Sequence, residues 1–183
     1  MMIFILLCFS VCICIDSSFE FEYFEKYPDH YHETELIKRV ENDEKVKDYL
    51  TSWLYKYQAN RIFIIQYHNG TKDWQHGTMR FEKCSANTVS MKSDYVNFNL
   101  TWLDMPFYLK EHDYFIGNVC ELKNIDPILY EQLNNYNINN VAFIIIKGND
   151  EIPIGILGFT GNNLNINGIS LLNESKIIYE YIK

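Results

Sequence analysis

The sequence predicts an α+β domain in which one antiparallel sheet is flanked by helices from both ends of the chain. Three patterns support this. Apolar residues recur at spacings of three and four over residues 34–57, which is typical of an amphipathic helix. Runs of β-branched and aromatic residues over 61–68 and 141–160 are typical of buried strands. A second amphipathic segment, over 170–183, predicts a helix at the end of the chain.

Composition favours a folded domain that does not bind nucleic acid. The chain has 183 residues, of which 48% are hydrophobic and 16% aromatic, enough to build one core. Its formal net charge is −8, and it has no dense Lys/Arg cluster. Since phosphate binding needs such a cluster, we expect no nucleic-acid partner.

The chain begins with the uncharged stretch MMIFILLCFSVCICI, residues 1–15. It is shorter than the roughly 20 apolar residues of a membrane-spanning helix. It also lacks the preceding basic residue and the small-residue cleavage site of a signal peptide. A membrane anchor, a cleaved signal and a buried segment all remain open, and we expect a membrane-associated protein. Residues 16–33 are interpreted as an acidic, aromatic linker and 34–183 as the domain.

The first predicted helix begins near Glu33 and runs for about 20 residues. It either packs on the sheet or pairs with the same helix of a second copy, giving a homodimer through residues 34–58. His30 and His32 precede it beside two acidic residues. A metal site there is conceivable, but a solvated linker is the favoured interpretation.

The first predicted strand is Arg61–His68, and its continuous apolar run indicates burial on both faces, hence a central strand. Asn69-Gly70 is a strong turn signal. A second strand is predicted over Thr78–Ser85, with Met79 and Phe81 on one face. Residues 86–103 are predicted to form a long loop, and 102–109 a short helical turn that covers the domain.

The second half of the chain predicts a strand, a helix and a hairpin. The strand is 114–119, and Asp126-Pro127 has the pattern of a helix start, with Asp as the N-cap. Strands over 141–147 and 152–160 are joined by a turn at 148–150. The final helix follows.

This order of elements resembles the GAF fold. RIFIIQYHNG is similar to the first GAF strand, and VAFIIIKGNDEIPIGILGFT to the closing hairpin. Small GAF-like proteins of phages resemble the chain more closely. They share an N-terminal hydrophobic segment, an F/Y-H-N-G motif, and stretches matched here by Gly77–Phe81, Tyr114–Gly117 and Lys123–Asp126.

The likeness covers residues 36–183. It implies a sheet with the terminal helices on one face and a loop-covered pocket on the other, together with a phage origin and helix-mediated dimerisation. It implies no settled biochemical activity.

The H-N-G stretch has three interpretations. In the first, it is only a turn, with Gly70 and Asn69 supplying the backbone geometry. In the second, it forms the rim of a ligand pocket, because such pockets are mostly apolar with a few placed polar groups. In the third, His68 and His76 bind a metal, although their spacing matches no known ligand motif. The predicted pocket residues are Tyr67, His68, Asn69, Gly70, Phe81, Trp102, Phe107, Tyr108 and Phe115.

No catalytic motif is present. The sequence lacks G-x-S-x-G, Walker A, G-x-G-x-x-G and H-E-x-x-H patterns. Cys84 and Cys120 invite comparison with a GAF-fold reductase of methionine sulfoxide, but their surroundings do not resemble its active site. The sequence therefore predicts a non-catalytic domain without metal or cofactor, which binds an unknown small molecule or a protein. The alternative is a structural or lysis-related phage membrane protein.

Overall fold

The computed structural model describes residues 29–68, 76–148 and 150–183, with side chains from Glu33 onward. The chain divides into two compact units, Met1–Asn42 and Asp43–Lys183. The predicted anchor 1–15, the start of the predicted linker and the Asn69-Gly70 turn lie outside the described residues.

The predicted helices and strands all form in the predicted order, and the short strand Phe98–Asn99 and three 3-10 helices are additional elements. The helices are α1 (Asp29–Lys56), α2 (Met105–His112), α3 (Pro127–Asn135) and α4 (Gly168–Ile182). The strands are β1 (Arg61–His68), β2 (His76–Cys84), β3 (Phe98–Asn99), β4 (Tyr114–Asn118), β5 (Asn140–Lys147) and β6 (Pro153–Gly161). Short 3-10 helices cover Lys92–Asp94, Leu100–Trp102 and Val119–Asn124.

These strands make one antiparallel sheet in the order β3-β2-β1-β6-β5-β4. The α+β prediction is confirmed, as is the central position of β1, which pairs with β2 on one side and β6 on the other. Cross-strand fit explains a glycine of the closing hairpin. A Cβ atom on Gly158 would lie 2.2 Å from the Phe63 ring, so this position admits only glycine without a shift of that ring.

The terminal helices pack on one face of the sheet. The buried residues of α1 that contact this core are Val46, Leu50, Trp53 and Leu54. Leu171, Ile178 and Ile182 of α4 join them over Ile64, Leu157 and Phe159. Burying these large side chains is the main source of this face's stability.

The structure corrects the predicted extent of α1. The helix starts at Asp29, inside the segment predicted to be a linker, and it has 28 residues. Leu36, Ile37 and Val40 belong to the predicted apolar stripe, yet all three are exposed. Pairing of this helix with a second copy stays a prediction.

The other face of the sheet is covered by residues 91–138, which we call the covering layer. It contains α2, α3 and the three 3-10 helices, and its chain passes through the two edge strands of the sheet, β3 and β4. Its buried members include Met91, Leu109, Leu122 and Leu133. The predicted loop 86–103 is thus an ordered cover with its own short elements.

The predicted faces of β2 are wrong. Ile64 pairs with Phe81 and Ile65 pairs with Met79, so Arg80 is an extra residue that makes a β-bulge. The bulge places Met79 in the core under the covering layer and Phe81 in the core under the terminal helices. A strict alternation would have put both on one face.

No helix within the described ranges combines the length and apolar character needed to cross a bilayer.

Candidate ligand-binding site

A cavity of about 30 Å³ lies between the sheet and the covering layer. Phe63, Met79 and Phe143 line it from the sheet, and Met91 and Met105 line it from the cover. A space of this size admits a water-sized molecule, whereas ligand pockets usually measure about 300–1,000 Å³. Almost the whole lining is apolar, so the cavity suits a small apolar molecule better than water.

Methionine is prominent around this cavity. The chain has five methionines, and Met79, Met91 and Met105 all line the space. Methionine side chains are unbranched and adaptable, so they fill irregular gaps and rearrange at low cost. The cavity can therefore change shape more readily than one walled by β-branched residues.

Asp126 anchors the covering layer from inside. Its side chain is 1% exposed, and its two carboxylate oxygens accept from the backbone N–H groups of Met105 and Leu129, each at 2.9 Å. One bond caps α3 and the other holds the start of α2. The sequence predicted the cap but not the contact with Met105, which depends on tertiary structure.

Tyr95 ties the cover to the sheet and to α3. Its carbonyl accepts from the Met79 N–H at 2.7 Å, and its hydroxyl donates to Gln132 Oε1 at 2.8 Å. Burial is the main cause that raises the pKa of Tyr95 above its usual value. The hydroxyl therefore stays protonated and able to donate through the neutral pH range.

A buried ion pair holds the beginning of the cover. Arg61 Nε lies 3.0 Å from Glu82 Oε1, and the two side chains are 2% and 4% exposed. Glu82 also accepts from the Met91 N–H at 2.9 Å and from the Ser90 hydroxyl. The Arg61 guanidinium donates to the carbonyl of Val89. The pair thus fixes 89–91, the segment that leads into the cavity wall.

His68 and His76 face each other across the ends of β1 and β2. They are cross-strand partners, with ring centroids 6.3 Å apart and planes at 24°. His68 Nε2 lies 2.8 Å from Thr78 Oγ1. Neither histidine lines the cavity, so the described residues of the H-N-G motif do not form its rim.

The predicted pocket residues are dispersed. Tyr67 and Phe115 are buried in the core under the covering layer, and Tyr108 packs against that core. Phe81 lies on the opposite face of the sheet, while Trp102 and Phe107 are 67% and 58% exposed. None of the described members of the predicted set lines the cavity. Asn69 and Gly70 lie outside the described residues.

The sequence patterns did not identify the methionines, or the other residues that line the cavity, as pocket residues. Met91 lies in a polar stretch without any period that marks it as buried. Met105 lies in the apolar segment 102–109, but the pocket prediction chose the aromatic residues of that segment instead. Met79 and Phe81 were predicted to share a face, and only Phe81 was named as a pocket residue. The bulge at Arg80 places Phe81 on the face away from the cavity and leaves Met79 beside it.

The cysteines form no constellation with the cavity. Cys84 and Cys120 are free thiols, and neither lines it. Burial is the main cause that raises the pKa of Cys84, which disfavours the reactive thiolate. Residues 29–68, 76–148 and 150–183 contain no group of three or more His, Cys, Asp or Glu side chains arranged to hold a metal ion.

Comparison with known proteins identifies the fold. No family model matches the chain, and no curated protein matches it. Solved structures do match. The GAF domain region of a putative membrane protein from Geobacter sulfurreducens PCA has a TM-score of 0.57 at 15% identity, covering 80% of this chain and 95% of that one.

Two photoreceptor structures also match. The photoproduct state of GAF3 from Slr1393 of Synechocystis has a TM-score of 0.56 at 15% identity, covering 76% of this chain and 94% of that one. The chromophore-binding domain of the bacteriophytochrome RpBphP3 from R. palustris has a TM-score of 0.51 at 12% identity, covering 73% of this chain. The chain spans 50% of the length of that bacteriophytochrome fragment. The fold is therefore GAF-like, as the sequence predicts.

Proposed function

We propose that the chain is a non-catalytic, GAF-like domain that binds a small apolar molecule in the cavity between the sheet and the covering layer. The observation that carries this proposal is the apolar lining of that cavity, on the face opposite the terminal helices. Two of the similar structures support it. The Synechocystis structure is the photoproduct state of a GAF domain, and the R. palustris structure is a chromophore-binding domain.

The volume limits what the cavity takes without rearrangement. About 30 Å³ accommodates a molecule of very few heavy atoms. A larger ligand has to displace methionine side chains or part of the covering layer. Such a displacement would move the segments held by Asp126 and Tyr95, and this movement is how binding would be reported to a partner.

Membrane association is a second part of the proposal and rests on residues 1–15. Their uncharged, apolar sequence favours an anchor or a signal. The Geobacter sulfurreducens domain is the GAF domain region of a putative membrane protein, so a GAF-like fold is compatible with attachment to a membrane. A phage origin rests on the resemblance in motifs alone.

The experiment uses the methionines as reporters. The full chain is labelled with ¹³C at the methionine methyl groups and titrated with xenon and then with indole, followed by NMR. Met79, Met91 and Met105 are the cavity reporters, and Met1 and Met2 are internal controls far away in sequence. We expect saturable shifts of the three cavity signals, with Met1 and Met2 unchanged.

Single substitutions of Met79, Met91 and Met105 by leucine assign the signals. Equal shifts of all five methionines would indicate non-specific partitioning. Unchanged cavity signals at saturating probe would overturn the binding proposal.

The small volume favours one alternative. Phe63, Phe98 and Phe143 are among the residues that line the cavity and leave only about 30 Å³ between them, as expected of a packed structural module. A structural or lysis-related role, with residues 1–15 as the active part, would then hold. It predicts that the cavity signals do not move and that deletion of 1–15 abolishes membrane binding.

A further inference from the structure

We propose that His68 and His76 together bind a first-row transition-metal ion of the kind that prefers imidazole, such as Zn²⁺ or Ni²⁺. The observation behind it is their position. They are the residue pair at the end of the β1–β2 ladder, and their rings are stacked. Directly opposed residues on antiparallel strands have Cβ atoms about 4.5–5.5 Å apart, so two such side chains reach one point in space.

A ring nitrogen without a hydrogen-bond partner supports this assignment. Within the described part of the chain, His76 Nδ1 is buried and has no hydrogen-bond partner. A buried nitrogen of this kind normally has a partner, and a metal ion would supply one. His76 as a whole is only half-buried, so this nitrogen lies close to the protein surface.

His68 has the outer contact that metal-binding histidines usually make. Its Nε2 lies 2.8 Å from Thr78 Oγ1, and the same hydroxyl oxygen accepts from the Asn97 N–H at 2.9 Å. If Nε2 donates its proton to Thr78, the lone pair remains on Nδ1. A histidine that ligates through one nitrogen commonly donates from the other, which orients the ring.

Nδ1 of each histidine is therefore the ligating atom in this proposal. A zinc ion lies about 2.0–2.1 Å from each nitrogen ligand. With the His68 ring held by Thr78, the His76 ring turns toward it from the present 6.3 Å separation of the ring centroids. Two protein ligands leave coordination positions open for water or an added ligand. The ion would also clamp the two strand ends beside residues 69–75.

This site does not depend on the cavity. His68 and His76 are absent from the cavity lining, so metal binding and apolar-ligand binding can fail separately. The proposal also departs from the expectation that the chain binds no metal.

The test is calorimetric titration of the full chain with Zn²⁺ and with Ni²⁺, using Mg²⁺ as a metal that prefers oxygen ligands. We expect one site for Zn²⁺ and Ni²⁺ and none for Mg²⁺. His68→Gln and His76→Gln should each abolish binding. Thr78→Val should weaken it about 10- to 100-fold, as expected when the outer contact of a ligand is lost.

Two controls separate this site from other histidines. His112→Gln removes an exposed histidine on α2, and the double variant His30→Gln/His32→Gln removes the only other closely spaced pair in the sequence. Both should retain wild-type affinity. Loss of binding in the His30/His32 variant with retention in His76→Gln would overturn the proposal, as would a wild-type chain that binds neither ion.

A further measurement avoids dependence on variant folding. Electron paramagnetic resonance of the wild-type chain with one equivalent of Cu²⁺ should show hyperfine coupling to two imidazole nitrogens in a single species. Coupling to one nitrogen, or a mixture of species with an oxygen-only environment, would overturn the two-histidine site.

Discussion

Met79 and Phe81 lie two residues apart on β2 but in different cores, because Arg80 between them bulges out of register with β1. Truncating each therefore tests a different face of the sheet. Met79→Ala should lower the free energy of unfolding by about 2–5 kcal/mol and Phe81→Ala by about 3–5 kcal/mol, measured by chemical denaturation. Only Met79→Ala enlarges the cavity between the sheet and the covering layer, so it should shift the methyl NMR signals of Met91 and Met105 more than Phe81→Ala does. Shifts of Met91 and Met105 that are as large in Phe81→Ala as in Met79→Ala would contradict the assignment of faces.

Deleting the bulge residue gives a sharper test of the same feature. In a variant that lacks Arg80, Met79 and Phe81 become neighbours, and ordinary alternation still sends them to opposite faces. The deletion should therefore fold. Arg80→Ala is the matched control, since it loses the contacts with Asp43 and Gln66 but keeps the bulge. We expect the two free energies of unfolding to agree within about 1 kcal/mol, the usual range for a partly exposed ion pair. A deletion variant that fails to fold would show that the bulge itself is required.

The bulge also shows where sequence patterns stop being informative. Central strands such as β1 and β5 were predictable because each contains a continuous apolar run, residues 62–65 and 141–146, a signal that burial on both faces imposes. The cap at Asp126 was predictable because it depends on neighbouring residues. The β2 bulge was not predictable, because a strand with one extra residue has the same kinds of residues as a regular strand.

The candidate site was less predictable than the fold, because long-range contacts shape it. The path of residues 89–106 is set by carboxylates from Glu82 and Asp126, which accept from backbone N–H groups far away in sequence. The aromatic residues Trp102 and Phe107 were natural candidates for a pocket wall, yet that path leaves both exposed. The pairing of His68 with His76 requires the hairpin register, which a spacing of eight residues does not reveal.

The Arg61–Glu82 pair predicts strong asymmetry between single and double substitutions. Either Arg61→Met or Glu82→Leu leaves one buried charge without its partner and should cost about 3–5 kcal/mol. The double variant restores charge balance, and its loss should be smaller than the sum of the two single losses. Glu44→Gln, which breaks the exposed pair with Lys47, should leave the free energy of unfolding nearly unchanged. Additive single losses would show that the pair is not coupled.

Asp126 should matter more than an ordinary helix cap. Asp126→Ala removes the N-cap of α3, worth about 0.5–2 kcal/mol, and leaves the buried Met105 N–H without an acceptor, worth about 1–3 kcal/mol. Asn167→Ala removes the exposed cap of α4 and should cost only the first amount. Hydrogen exchange should show the difference, with faster exchange over α2 in Asp126→Ala alone. Unchanged protection of α2 would argue against its anchoring role.

The buried tyrosines predict how stability falls at high pH. Burial raises the pKa of both Tyr95 and Tyr67, whereas an unfolded tyrosine has a pKa near 10. Below about pH 10 both states keep the proton, so this contribution to stability is fully present. Above it, the unfolded chain loses protons that the folded chain retains, and the free energy of unfolding falls by up to about 1.4 kcal/mol per pH unit for each such tyrosine.

Chemical denaturation from pH 9 to 11 measures this effect. The free energy of unfolding should fall less steeply with pH in Tyr95→Phe than in the wild type. Tyr55→Phe, at a position 78% exposed, should follow the wild type. The same slope in Tyr95→Phe and the wild type would mean that Tyr95 is not protected by burial.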